Sequence, residues 1–308
     1  MKGIFIVNSV KKKIIHIYCP DDKVEIISSL CDKHLFTGIV NDYSINNYKD
    51  KVFCHYMSSD LSEEKQFYLV QATKYGANVE PLVSYLDATL KYTEVELLHS
   101  NYFLHQKSFS ILSKKVKQRN KRILDLICAV ILLLITWPIA LITTIAIKLE
   151  SPGPVFYKQK RTGRFNKEFF VYKFRSMRND AEKNGAQWAS KNDARVTKVG
   201  KFIRKTRIDE LPQIINIFKS EMSIVGPRPE REVFISGLEK EIPFYRFRHA
   251  VKPGVTGLAQ VSYPYGASTE DAIWKHKYDM YYIKHHTFMN DIKILIKTVT
   301  VVIFGMGQ

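Results

Sequence analysis

An uncharged apolar run, Leu126 to Ile147, is bordered by basic clusters on both sides and carries a proline, Pro138, near its middle. At 1.5 Å per residue, a helix over this run could just cross a hydrocarbon core of ~30 Å. Residues 107–122 hold seven Lys or Arg and no acid, and residues 148–167 hold six basic residues against one acid, Glu150. A simple span carries its positive charge mainly on one side. Basic flanks at both ends therefore predict that both face the cytoplasm. Bent at Pro138, the chain would enter one leaflet and return as a re-entrant helical hairpin over about 123–148. A plain transmembrane helix and a buried helix of a soluble protein are the alternatives.

The charge is unevenly spread. Residues 1–113 contain 12 Lys, no Arg and 13 acids, whereas residues 114–308 contain 35 basic and 17 acidic residues, a net of +18. The whole excess lies with the apolar run and the residues C-terminal to it. Such a surface suits anionic headgroups, nucleotides or nucleic acid. The basic, aromatic stretch Tyr157 to Arg178 comes directly after the membrane segment, so it is expected to face headgroups, and no nucleic acid partner is expected. The four cysteines, Cys19, Cys31, Cys54 and Cys128, have neither CxxC nor metal spacing and read as reduced thiols. Met1 to Val10 is too short for a signal peptide, which leaves membrane entry to the internal segment.

At 308 residues two domains are expected, with the boundary at 113/114. Residues 1–113 read as a small, truncated Rossmann-like α/β domain. Ile14–Tyr18 and Val52–Met57 favour strands, Asp60 with Glu63 suggests a helix start, and the helix should end at Gly76. No GxGxxG is present, so a regulatory or oligomerising role, such as homodimer contact, is expected rather than dinucleotide binding. Beyond the apolar run, Ser151-Pro152-Gly153-Pro154 must turn the chain. Strands are expected at Val155–Tyr157 and Phe169–Phe174, and a loop over 179–196. Helical pattern resumes from Val199 and breaks at Arg207 to Glu210. A second helix over about Leu211–Lys219 would place Leu211, Ile214, Ile215 and Phe218 on one face.

The break holds the residues best suited to chemistry. Asp209 and Glu210 are adjacent, Pro212 fits a first helical turn, and Arg204, Lys205 and Arg207 precede them. Two acids beside three cations at a helix start could hold a divalent metal and a phosphate together. Alternatively, Asp209 is only an N-cap. In Gly226-Pro227-Arg228-Pro229-Glu230, the prolines stiffen the backbone of Arg228, whose guanidinium could fork onto a phosphate. A rigid surface turn is the plainer alternative. Asp279 lies among Tyr278, Tyr281 and Tyr282, a weaker signal that a structural role also explains.

Taken in order, the strings KRILDLICAV, SPGPVFYKQKRTG, FFVYKFRSM, TKVGKFIRKTRIDELPQIINIF, MSIVGPRPE, VKPGVTGLAQV and YDMYYI closely resemble one family. It comprises the bacterial sugar transferases that are monotopic polyprenyl-phosphate phosphoglycosyl transferases. The likeness covers about residues 119–308, and YPYGASTEDA looks like members serving exopolysaccharide assembly. Residues 1–113 are expected to lie outside it. The resemblance implies an α+β chain: a mainly helical monotopic membrane domain over 114–308 with a re-entrant hairpin, preceded by the small α/β domain. Pro138 would be the hairpin break, although Trp137 stands where small members often have Ser. The implied reaction moves a phosphosugar from a nucleotide diphosphate sugar, by family habit a UDP-sugar, to polyprenyl phosphate by a ping-pong route. Asp209 would be the nucleophile, Glu210 would help it hold Mg2+, and Asp279 would be a further active-site acid. Arg228, with Arg204 and Arg207, would bind substrate phosphates. The place of action would be the cytoplasmic face of the bacterial inner membrane. The competing expectation is a non-enzymatic membrane scaffold whose basic half binds anionic lipid or nucleic acid. Selection of the sugar is expected from 179–196 and 262–271.

Overall fold

The computed structural model describes residues 14–34, 36–105, 110–113, 115–181, 193–264, 266 and 268–303. The chain divides into two compact units, Met1–Leu97 and Leu98–Gln308. Residues 98–113, expected to close the first domain, thus go with the second unit.

The first unit contains β1 (Ile15–Tyr18), α1 (Val24–Lys33), β2 (Gly38–Val40), β3 (Val52–His55), α2 (Glu63–Lys74), β4 (Asn78–Pro81) and α3 (Leu82–Leu90). The strands form one parallel sheet in the order β2-β1-β3-β4. All four residues of β1 are buried, as an interior strand of a parallel sheet requires. Tyr18, Phe53, Leu69 and Ala72 centre the core on one side. The expected parallel α/β class is present, but a Rossmann half has the order 3-2-1, and here β1 lies between β2 and β3 as in flavodoxin-like sheets. Helix α2 is capped by Ser62, whose hydroxyl accepts from the Lys65 amide, and not by Asp60. Asp60 ends a short 3₁₀ turn ahead of it.

The second unit opens with α4 (Ser100–His105), α5 (Ser110–Ser113) and the long helix α6 (Lys115–Glu150). Next come β5 (Phe156–Thr162) and β6 (Glu168–Phe174), an antiparallel hairpin in register from Phe156↔Phe174 to Thr162↔Glu168. The remaining elements are α7 (Lys198–Lys205), α8 (Ile214–Phe218), β7 (Ser223–Val225), α9 (Glu232–Glu241), β8 (Gly254–Thr256), α10 (Leu258–Ser262), α11 (Thr269–Lys284) and α12 (Phe288–Ile303). β7 and β8 pair in parallel. A Cβ on Gly254 would stand 2.1 Å from the Gly226 amide nitrogen, and one on Gly226 would stand 2.5 Å from the Lys252 carbonyl. Only glycine lets these two backbones meet. Residues 182–192, most of the loop expected over 179–196, lie outside the described residues; Met177 and Val196 bridge its ends.

Helix α6 is long and apolar enough to cross a membrane. Near its start, Asp125 is buried and accepts from Ser223 Oγ and the Ile224 amide. Near its end, Ile147 packs with Phe174 and Ile203, and Ala140 joins that cluster. Between these feet Val130 to Ile139 stand clear, with Leu134 68% and Ile135 65% exposed. Both feet therefore rest on the same unit while the apolar middle is uncovered. Where two helices separated at Pro138 are expected, the chain stays helical through it. A proline deletes one N–H, whereas an open turn would free several backbone groups. Among exposed apolar side chains the single loss is the smaller cost. Thr136 and Thr143 add hydroxyl bonds to the carbonyls of Leu132 and Ile139 on either side.

Candidate active site

Helix α7 ends because Arg207 takes a left-handed backbone, φ 59° and ψ 12°. A non-glycine residue there costs about 1 kcal/mol or more. The chain then winds through a 3₁₀ turn, Ile208–Gln213, which carries Asp209, Glu210 and Pro212 before α8 begins. The break expected at Arg207–Glu210 is present. The helix start expected at Leu211 is not; α8 begins at Ile214, so the acids sit in the turn rather than on an α-helical N-terminus. Asp209 makes no capping bond, which removes the N-cap explanation.

Both acids are 7% exposed, yet their surroundings differ. Glu210 Oε1 accepts from Arg228 Nη2 at 2.9 Å and Lys173 Nζ at 3.1 Å, and Arg207 Nη1 is 3.9 Å away. Burial pushes the Glu210 carboxyl upward, but Arg228, Lys173 and Arg207 together outweigh it and hold the group well below its ordinary range. The Asp209 carboxyl makes no hydrogen bond or ion pair among the described residues. Burial raises it to about 6 against the pull of Lys173, Arg207 and Arg204. Adjacent acids are thus driven apart, one held as an anion and one poised.

Arg228 reaches Glu210 from the stretch between β7 and α9. Arg161 on β5 donates to the Pro229 carbonyl at 3.1 Å and to Glu230 Oε2 at 3.3 Å. Arg248 donates to the Arg228 carbonyl at 3.0 Å and to Asp279 Oδ2 at 2.8 Å. Asp279 is 1% exposed on α11; burial raises it to about 6 despite Arg248. The structure therefore brings Asp209, Glu210, Arg207 and Arg228 together. Arg204, one turn earlier on α7, acts on Asp209 through its charge alone. Among the described residues, Asp279 touches the cluster only through Arg248, and Pro138 lies apart in α6.

No group of three or more His, Cys, Asp or Glu side chains suited to a metal occurs among the described residues. A Mg2+ ion needs fewer, since it is commonly held by one or two carboxylates plus substrate phosphates and water. Uncommitted Asp209 beside Glu210 fits that donor set.

Residues 116–305 match the sequence profile of the family described as Bacterial sugar transferase. The chain belongs to that family. It is 40% identical over 258 residues to a UDP-N-acetylgalactosamine-undecaprenyl-phosphate N-acetylgalactosaminephosphotransferase of Aeromonas hydrophila, covering 84% of this chain and 60% of the relative. It is 36% identical over 260 residues to a UDP-glucose:undecaprenyl-phosphate glucose-1-phosphate transferase of Xanthomonas campestris pv. campestris, covering 83% of this chain and 54% of the relative. To an exopolysaccharide production protein of Rhizobium leguminosarum bv. phaseoli it is 40% identical over 185 residues, covering 58% of this chain and 92% of the relative. The chain thus spans between half and two thirds of the first two relatives. The first of these matches is longer than the whole stretch 114–308, so it reaches back into the first unit, which was expected to lie outside the likeness.

In this member of the family the cluster also contains cations that the sequence pattern alone does not single out. Lys173 faces Glu210 from β6, and Arg161 and Arg248 brace the Arg228 segment. Lys173 and Arg161 lie in strings that carry the family likeness, which was the available signal. Arg248 lies in none of them.

Proposed function

We propose that the second unit transfers a phosphosugar from a UDP-sugar to undecaprenyl phosphate through a covalent intermediate on Asp209. The observation that carries this reading is the contrast between the paired acids: Glu210 is locked by Arg228 and Lys173, while Asp209 is buried, uncommitted and raised to about 6. Such a carboxylate is ionised at neutral pH yet more basic, hence more nucleophilic, than an ordinary one. In the first step an Asp209 oxygen attacks the β-phosphorus of the donor. The bond to the bridging oxygen breaks and the nucleoside monophosphate leaves with that electron pair. In the second step a phosphate oxygen of the lipid attacks the same phosphorus, and the Asp209 carboxylate leaves. Anionic donor and acceptor repel a carboxylate, so Arg228, Lys173 and Arg207 are needed to offset the charge that builds up. Mg2+ held by Asp209 and Glu210 would supply further charge neutralisation at the pyrophosphate.

The relatives named above support uridine and undecaprenyl phosphate as donor and acceptor classes but differ in their sugar. The sugar is therefore left unassigned. Helix α6 would serve as a monotopic anchor on the cytoplasmic face of the inner membrane, keeping Asp209 near headgroup depth. The test is isotope exchange. Labelled UMP should enter the UDP-sugar without any lipid acceptor, and folded Asp209→Asn protein should not support this. Exchange at the normal rate in that variant, or no phosphosugar adduct on Asp209 after reaction with labelled donor, would overturn the proposal.

A further inference from the structure

A cavity of about 260 Å³ opens at the foot of α6, and Asp209, Glu210 and Arg228 do not line it. Five cations do: Arg119, Lys121, Arg122, Arg164 and Lys252, against one carboxylate, Asp125. That acid is already committed, to Lys121 Nζ at 2.7 Å, to Ser223 Oγ and to the Ile224 amide. Lys121 is further neutralised by Asp291 at 3.2 Å. Three of the other cations meet neutral groups. Arg122 donates to the carbonyls of Ile217 and Phe218. Lys252 Nζ donates to Ser220 Oγ. Arg164 reaches Gln118 Oε1 at 3.4 Å, and its Nε is buried with no acceptor among the described residues. Burial, with repulsion from Arg122, holds the Lys252 ammonium below its usual range. A closed set of like charges with an orphaned buried donor is the arrangement an anion stabilises.

The lining also includes the apolar side chains of Ile111, Leu112 and Val251. Arg122 lies about one turn before Leu126, where the apolar run of α6 begins. An anion held here would sit at the polar edge of a membrane-embedded helix, next to apolar side chains. We infer that this cavity binds the phosphodiester head of an anionic phospholipid of the surrounding bilayer, with its acyl chains running along α6. The inference rests on α6 being membrane-embedded but not on the transfer chemistry. A bound headgroup would tie together α5, the foot of α6, the β5–β6 turn that carries Arg164 and the segment before β8 that carries Lys252. All four elements would then be braced against one ligand.

The full-length protein is reconstituted in phosphatidylcholine nanodiscs containing phosphatidylglycerol, and the lipid retained on release is measured by native mass spectrometry. No nucleotide sugar is present, so failure here and failure of the transferase reading are separate events. Flotation with vesicles of phosphatidylcholine alone reports insertion of α6 independently. The wild-type chain should retain phosphatidylglycerol in preference to phosphatidylcholine. At about one surface charge's worth of headgroup attraction each, Lys252→Gln should weaken that preference roughly fivefold and Arg164→Gln/Lys252→Gln about 30-fold, and Lys252→Arg should restore it. Circular dichroism checks that the variants fold; should the double variant not fold, Lys252→Gln alone decides. Equal retention of the two lipids, or an unchanged preference in a folded Lys252→Gln protein, would overturn the inference. Displacement of phosphatidylglycerol by an equal concentration of inorganic phosphate would instead make this a free-anion site, and displacement by polyprenyl phosphate an acceptor site. Either result also overturns it.

Discussion

Asp279 and Arg228 are joined through one buried guanidinium: Arg248 donates to the Asp279 carboxylate at 2.8 Å and to the Arg228 carbonyl at 3.0 Å. One turn further along α11, the Tyr282 hydroxyl lies 3.1 Å from the Val225 carbonyl. Helix α11 thus holds the segment that presents Arg228 to Glu210, at Val225 directly and at Arg228 through Arg248. This geometry supports Asp279 as a positioning residue acting through Arg248 rather than as a group that meets substrate.

Asp279→Asn should therefore both destabilise the second unit and loosen the donor site. Removing one partner of a buried ion pair costs about 3–5 kcal/mol. A purely structural role would lower the melting temperature and leave the kinetics of the folded fraction unchanged. A positioning role adds a raised KM for the donor, in the same direction as substitution of Arg228, with partial recovery in Asp279→Glu. Unchanged stability and unchanged KM in Asp279→Asn would defeat the assignment.

Acidification should inactivate the protein before it unfolds it. Burial raises both Asp209 and Asp279 to about 6. Protonated Asp209 is not a nucleophile, so kcat/KM for monophosphate exchange should fall as pH drops through about 6. Glu210, held well below its usual range, stays ionised throughout. The stability effect has the opposite sign. A carboxyl raised in the folded state binds its proton more tightly there than in the unfolded chain. Its contribution is fully present below the ordinary carboxylate range and is lost as pH rises through about 6. Asp209, which has no ion-pair partner among the described residues, therefore adds stability between pH 7 and 5 while activity declines. The limb should persist in Asp279→Asn, because it belongs to Asp209. A flat rate down to pH 5 would remove Asp209 from the nucleophile's role.

Arg228→Lys keeps a charge but gives up the planar fork. Its contact with Glu210 is a charge-assisted hydrogen bond, worth about 1.5–3 kcal/mol. A loss of roughly 10- to 100-fold in kcat/KM for exchange is expected, with little change in melting temperature because Lys173 still neutralises Glu210. A wild-type rate would mean that Arg228 only maintains a turn.

The features legible in the sequence were those set by neighbours along the chain. The apolar run, the adjacent acids, the break before them and the stiff Arg228 segment all need only local chemistry. What was hidden arises from packing. Lys173 meets Glu210 across 37 positions, and Arg248 meets Asp279 across 31. Neither contact leaves a periodic trace, because one partner in each pair alternates on a strand or sits in an irregular turn. The continuity of α6 through Pro138 is hidden from the sequence for another reason. Proline's local preference is to end a helix, and the apolar surroundings that make an open turn costlier are a property of the whole segment.

Gly226→Ala and Gly254→Ala should each destabilise the second unit. The added methyl would meet backbone at 2.5 Å and 2.1 Å respectively, where no flexible side chain can yield. Overpacking of this kind costs typically about 1–3 kcal/mol, and more where backbone must move. Because these glycines join the segment before Arg228 to the start of β8, the predicted signature is a lower melting temperature together with lost exchange. Normal stability in either variant would show that the two backbones separate more readily than their contacts indicate.

The two feet of α6 favour the non-crossing anchor proposed above. Asp125 and Ile147 are both buried on the second unit, although the uncovered middle of the helix lies between them. A helix crossing a bilayer carries its two ends to opposite faces, where one compact unit cannot hold both. With both feet docked, the monotopic anchor proposed above would place the uncovered middle around Leu134 and Pro138 in the leaflet facing that unit alone. Reporters fused before Met1 and after Gln308 should then both read as cytoplasmic, and cysteines placed at Lys121 and Lys148 should both react with a label applied from that side. A C-terminal reporter that signals from the opposite side would require one foot of α6 to detach, breaking either the Asp125–Ser223 bond or the packing of Ile147 on Phe174.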